Sequence, residues 1–134
     1  MDKKIIDEMY ELALNTLNSI DLTYLMTKFK RSVVVTVLLD DKDEMFTGLN
    51  IGWWHSTCSE HTALSNFFLK NGRDVKAILS LKKHHTRPEL ILASPCGICR
   101  QMFAEMKFNP MFVVDKINDE YVVKSLDELL PFES

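Results

Sequence analysis

Apolar residues recur at helical spacing through Ile5, Ile6, Met9, Leu12, Ala13, Leu17 and Ile20, which predicts an amphipathic opening helix. The pattern then changes period. Val33 to Leu39 is a continuous, β-branched apolar run that reads as a buried strand, and the charged segment Asp40 to Glu44 turns it into a second strand over Met45 to Asn50. That charge run reads as a solvated hairpin turn. A helix is expected to start near Thr57, to bury Ala63, Leu64, Phe67 and Phe68, and to stop at Asn71-Gly72. Val75 to Leu81 gives a third strand, Lys82 to His85 a polar loop, and Glu89 to Ala93 a fourth strand. Ser94-Pro95 supplies a cap and first residue for a helix carrying Ile98, Met102, Phe103 and Met106, ended by Asn109-Pro110. Met111 to Val114 and Tyr121 to Val123 are further strands around a polar connection from Asp115 to Glu120, and a short turn ends at Leu129-Leu130-Pro131-Phe132. Strands alternating with helices after a hairpin predict an α/β/α layered domain on a mixed sheet of about five strands.

Composition narrows the class. The 134 residues suit one domain, residues 1–134, and 46% hydrophobic with 26% charged content allows a buried core. A net charge of -3 argues against a basic nucleic-acid surface, so a small-molecule partner is expected. No apolar run is long enough to span a bilayer, and the first residues lack the apolar centre of a signal peptide, so a cytoplasmic location without membrane attachment is expected. Three cysteines is an odd number, which suits a metal or a reactive thiol better than a disulfide framework.

Those thiols share one design. Cys58 falls in the first turn expected after Thr57, and Cys96 and Cys99 fall in the first turns expected after Pro95. A helix N-terminus favours thiolate. Zinc accepts sulfur, and a catalytic site uses three protein ligands with one open position. Glu60, two residues after Cys58, is placed near such a metal but off it, where a carboxylate can move protons. Three thiolates leave a divalent cation at about minus one, and Arg100 beside Cys99 can supply a compensating charge and hydrogen bonds to sulfur.

Thr57-Cys58-Ser59-Glu60 with Pro95-Cys96-Gly97-Ile98-Cys99-Arg100-Gln101 resembles the cytidine deaminase family in its small three-cysteine form. The resemblance takes in Thr47-Gly48-Leu49-Asn50 and Leu129-Leu130-Pro131, and so runs from Val33 to Pro131. It implies a zinc-activated water, Glu60 as proton carrier, backbone around Ser59 at the base edge, Asn50 at a ribose, and a homotetramer. Three features depart from the family pattern. Asn50-Ile51-Gly52 stands where cytidine-using members carry Asn-x-Glu, the loop from Gly52 to Thr57 is short, and Ser32-Val33-Val34 replaces Phe-x-Val. All three bear on substrate recognition, and the blasticidin-S deaminase branch also lacks that carboxylate.

Other readings use the same residues. Thr57-x-x-Glu60 fits a capping box, in which the carboxylate serves only a backbone amide. Cys96-x-x-Cys99 fits a thioredoxin-like redox pair. His55 or His61 could close a structural zinc site. Trp53-Trp54 could stack on a base or pack in a core or interface, His84 and His85 suit a solvated loop, and packing alone would explain Phe132.

Overall fold

The computed structural model describes residues 1–129, so Leu130, Pro131 and Phe132 of the expected closing turn lie outside the described residues. Helix α1 (Lys3–Ser19) is capped by Asp2, whose carboxylate accepts from the Lys4 amide, and it buries Ile6, Met9, Ala13 and Leu17. That stripe lies on Val33, Val35, Val37 and Leu39 of β1 (Val33–Asp40) and on Ala77, Leu79 and Leu81 of β3 (Val75–Lys83). Side chains alternate along a strand, so the intervening residues form a second core on the other face. There Leu38 and Ile78 pack with Ala63, Leu64 and Phe67 of α3 (Ser59–Leu69) and with Phe103 of α4 (Gly97–Glu105). Burial on both faces is why the β1 sequence is apolar without a break.

The sheet runs β2-β1-β3-β5-β6, with β2 (Met45–Leu49), β5 (Met111–Ile117) and β6 (Glu120–Ser125), and β4 (Leu90–Ala93) pairs antiparallel with β3. β3 and β5 are parallel, and the other pairings are antiparallel. The expected α/β/α layering on a mixed sheet is what forms, with six strands rather than about five. Several elements outrun their expected limits. β3 continues through Lys82 and Lys83, and β5 and β6 extend over most of the segment read as a polar connection. Asn118 and Asp119 turn that hairpin with φ of 52° and 64°, the left-handed pair of a two-residue loop. Exposed strand ends carry polar residues on both sides, which hides them from an apolar pattern.

Helix α2 (Leu22–Phe29) was not expected; Asp21 caps it through the Tyr24 amide, and Leu22, Leu25, Met26 and Phe29 pack against the first core. α5 (Leu126–Leu129) follows β6. Asn71, at φ 62°, ends α3, and the Gly72 amide closes back on the Phe67 carbonyl. Among the described residues, no helix is long and apolar enough to cross a membrane.

The β1–β2 turn is built on Asp40, which is buried although the four residues after it are exposed. Its Oδ1 accepts from the amides of Lys42 at 2.9 Å and Glu44 at 2.8 Å. Removing the carboxylate orphans those amides, so Asp40→Ala should cost about 1–3 kcal/mol. Urea unfolding measures this, and a midpoint unchanged from the parent would show that the turn does not need Asp40.

Candidate metal centre

A row of small residues lets α3 settle on the sheet. Gly48 of β2, Thr36 of β1 and Ser80 of β3 are cross-strand partners. A Cβ built on Gly48 would lie 2.2 Å from the Ala63 amide nitrogen and 2.5 Å from the Ser59 carbonyl oxygen, so only glycine allows this approach. The start of α3 is thereby held over Thr36 and Ser80.

Both site helices begin later than the sequence suggests. Thr57 is extended and exchanges both backbone hydrogen bonds with Ile51, so α3 starts at Ser59 with Cys58 as its cap. α4 likewise starts at Gly97, with Cys96, not Ser94, as its cap. Neither thiol accepts the side-chain capping bond that Ser or Asp would accept. The Thr57 amide is taken by Ile51, so Glu60 does not close a capping box.

The three thiols meet. The Sγ atoms of Cys58 and Cys96 are 3.6 Å apart, those of Cys96 and Cys99 are 3.4 Å apart, and all three lie within 4.8 Å of one another. Three sulfurs at about 2.3 Å from a tetrahedral zinc would stand roughly 3.8 Å apart, so the donors present fit that ion. Among the described residues, neither His55 nor His61 belongs to the group, and none of them supplies a fourth ligand. A third thiol from a separate helix, and the fold itself, also count against a thioredoxin-like pair.

The thiols differ in electrostatic setting. Burial pushes Cys58 up to about 11, with the Cys96 thiol and the Glu60 charge adding to the shift. Cys99 is raised well above the ordinary thiol value, again by burial first and then by Glu60. At Cys96 burial also acts upward, but the nearby amides of Cys99 and Ile98 and the two neighbouring thiols favour the thiolate and bring it below the ordinary value. A cation is therefore what would make all three anionic together.

Glu60 is buried beside them, its Oε1 accepting from Ser59 Oγ at 2.9 Å and Thr36 Oγ1 at 3.3 Å. Cys58, Cys96, Ser59, Glu60 and Asn50 share one pocket, together with Ser80, Lys82 and Ser94, none of which the sequence marks as a site residue. Thr36 and Ser80 were missed because each is one hydroxyl in a run of aliphatic residues. That isolation was itself a signal, since a buried hydroxyl needs a partner.

Asn50 lines the pocket, but its Oδ1 accepts from the Val34 amide at 2.8 Å and its Nδ2 donates to the Ser32 carbonyl at 3.0 Å, so part of its capacity holds β1. A Cβ on Gly52 would lie 2.7 Å from the Phe29 Cβ, so α2 fills the space that a longer residue there would need. Arg100 makes no hydrogen bond to sulfur; its Nη1 donates to the Leu129 carbonyl at 2.6 Å, and its buried Nε–H has no partner among the described residues. Arg100 is thus anchored by α5, an element whose packing a local motif cannot reveal. Trp53 and Trp54 are exposed, with Trp54 against His55, and neither lines the pocket.

No protein-family model matches the sequence. Solved structures do resemble this one. The cytidine deaminase of Bacillus anthracis superposes with a TM-score of 0.69 at 14% identity, over 95% of this chain and 87% of that one. The Mycobacterium leprae cytidine deaminase gives 0.67 at 17% identity, over 94% and 97%. That of Burkholderia pseudomallei gives 0.58 at 21% identity, over 86% and 100%. With its α/β/α layers, its mixed sheet and three thiols gathered at two helix starts, the chain has the cytidine deaminase fold.

Proposed function

We propose that the chain is a zinc-dependent hydrolytic deaminase that converts the amino group of a cytosine-type ring to a carbonyl and releases ammonia. The observation that carries this reading is that one pocket is lined by two of the three clustered thiols, Cys58 and Cys96, and by a buried carboxylate already fixed by two hydroxyls. Cys58, Cys96 and Cys99 would hold zinc. Bound zinc supplies the Lewis acidity that makes water a nucleophile near neutral pH.

The chain supplies the rest. Hydrogen bonds tie down Oε1 of Glu60 and leave Oε2 free to carry a proton. Glu60 takes a proton from the attacking water, passes it to the ring nitrogen, and assists the departure of ammonia. Ser59 and Asn50 are the substrate contacts in this reading, Asn50 through the donor and lone pair left after its backbone bonds. The Arg100 charge offsets the thiolates from the α5 side.

Cytidine, deoxycytidine or a related nucleoside is the proposed substrate. A blasticidin-S-type aminonucleoside is the second reading, favoured by Gly52 and by Phe29 closing the space beside it. Assembly into homotetramers belongs to the same proposal and is measured by light scattering.

Purified protein should contain one zinc per chain and release ammonia from at least one of cytidine, deoxycytidine, cytosine and blasticidin S, with guanine as the control left unchanged. Metal analysis and an ammonia assay on that panel test it. Zinc-free protein would remove the central claim, and zinc without turnover would favour a structural site.

A further inference from the structure

The hydroxyls behind Glu60 form a chain with a defined sense. Thr36 Oγ1 is 2.7 Å from Ser59 Oγ, 2.7 Å from Ser80 Oγ and 3.3 Å from Glu60 Oε1. All four residues are buried, Thr36 completely. Each hydroxyl has one proton to give. Ser59 gives its proton to Glu60 at 2.9 Å, so the short contact with Ser59 is donated by Thr36, whose proton also leans toward Glu60. Thr36 then has nothing left for Ser80, and Ser80 must donate to Thr36. The protons therefore run from Ser80 through Thr36 and Ser59 to the carboxylate.

We infer that Thr36 is a positioning residue, which, backed by Ser80, holds Glu60 in a single orientation for proton transfer. This rests on the deaminase reading for its consequence in catalysis, but not for the geometry. Aliphatic residues would pack this face of the sheet equally well, as Leu38 and Ile78 do beside it. A buried polar cluster is stable only when all its members are satisfied, and here each satisfies the next. The outer end also has a consequence for recognition. Ser80 lines the pocket, and with its proton committed inward it offers lone pairs to a ligand. The matching group on the substrate is an N–H or O–H donor.

The test uses zinc-loaded protein and the variants Thr36→Val, Thr36→Ser and Ser80→Ala. Crystal structures should show Glu60 in one conformer in the parent and in Thr36→Ser, and in more than one in Thr36→Val. On whichever ring the parent deaminates, Thr36→Val should lower kcat about tenfold with KM within about twofold, and Thr36→Ser should restore it. Ser80→Ala should instead raise KM about tenfold, the scale of one lost hydrogen bond. A packing role would not divide kcat from KM between neighbouring residues. Should Thr36→Val not fold, Thr36→Ala takes its place in the same comparison, where more than one Glu60 conformer supports the inference and a single one overturns it. A single Glu60 conformer in folded Thr36→Val overturns the inference. A parent that releases no ammonia overturns the deaminase reading alone and leaves the crystal comparison to decide this one.

Discussion

Glu60→Gln should keep its zinc and lose catalysis by roughly a thousandfold in kcat, within the range that a positioned acid-base group contributes. At 1.36 kcal/mol per decade this is about 4 kcal/mol of transition-state stabilisation. The substitution is informative because it preserves shape. Glutamine keeps an acceptor for Ser59 and Thr36, the two hydroxyls that bind Oε1. It replaces the other oxygen with an amide nitrogen that cannot shuttle a proton. Cys58, Cys96 and Cys99 are untouched, so zinc content should remain at the parental value. Metal analysis and steady-state rates on the same preparation separate the two effects. A variant within threefold of the parent would reduce Glu60 to a structural carboxylate.

The same carboxylate shows how far the sequence could lead. Cys58, Cys96, Cys99 and Glu60 were legible because the chemistry of a three-thiol site constrains residue type and local spacing. Their convergence was not legible, since it depends on how α3 and α4 cross a six-stranded sheet. The capping-box alternative was reasonable from Thr57 and Glu60 alone. It fails because Ile51, six residues upstream of Thr57, takes the amide the box would have used. Helix starts were misplaced by two residues at both cysteine motifs for a related reason. Cys58 and Cys96 are poor caps by local preference, and position in the fold puts them there anyway. α2 was missed although Leu22, Leu25, Met26 and Phe29 carry helical spacing and Asp21 is a good cap. Its eight residues are short for a helix judged by pattern, and packing on the first core supplies what propensity does not. That omission also hid the reason for Gly52. The absent carboxylate was visible in the sequence, but Phe29 in the space beside it was not.

Gly48→Ala should combine loss of stability with loss of metal affinity, because one glycine sets the height of α3 above the sheet. The added methyl would meet the Ala63 nitrogen at 2.2 Å, Thr62 Oγ1 at 2.4 Å and the Ser59 carbonyl oxygen at 2.5 Å. Two of these are backbone atoms of the helix, so no rotamer change relieves the contact. Gly48 has a backbone conformation open to any residue, since it is absent from the positive-φ positions. The cost is therefore contact and not strain. Overpacking of this kind costs about 1–3 kcal/mol, and the melting temperature should fall by about 10 °C. To make room, α3 must rise by about 1 Å, carrying Cys58 away from Cys96, now 3.6 Å distant. Sulfurs spread that far no longer suit one tetrahedral ion, so zinc affinity should drop by at least about tenfold. Gly97→Ala is the matched control, since a Cβ there meets nothing within 4 Å even though it lies between Cys96 and Cys99. It should melt at or slightly above the parental temperature with zinc retained. Calorimetry and chelator competition on the two variants make the comparison. Equal behaviour of Gly48→Ala and Gly97→Ala would show that α3 is free to ride over a larger residue, and that the small-residue row does not set the geometry of the thiols.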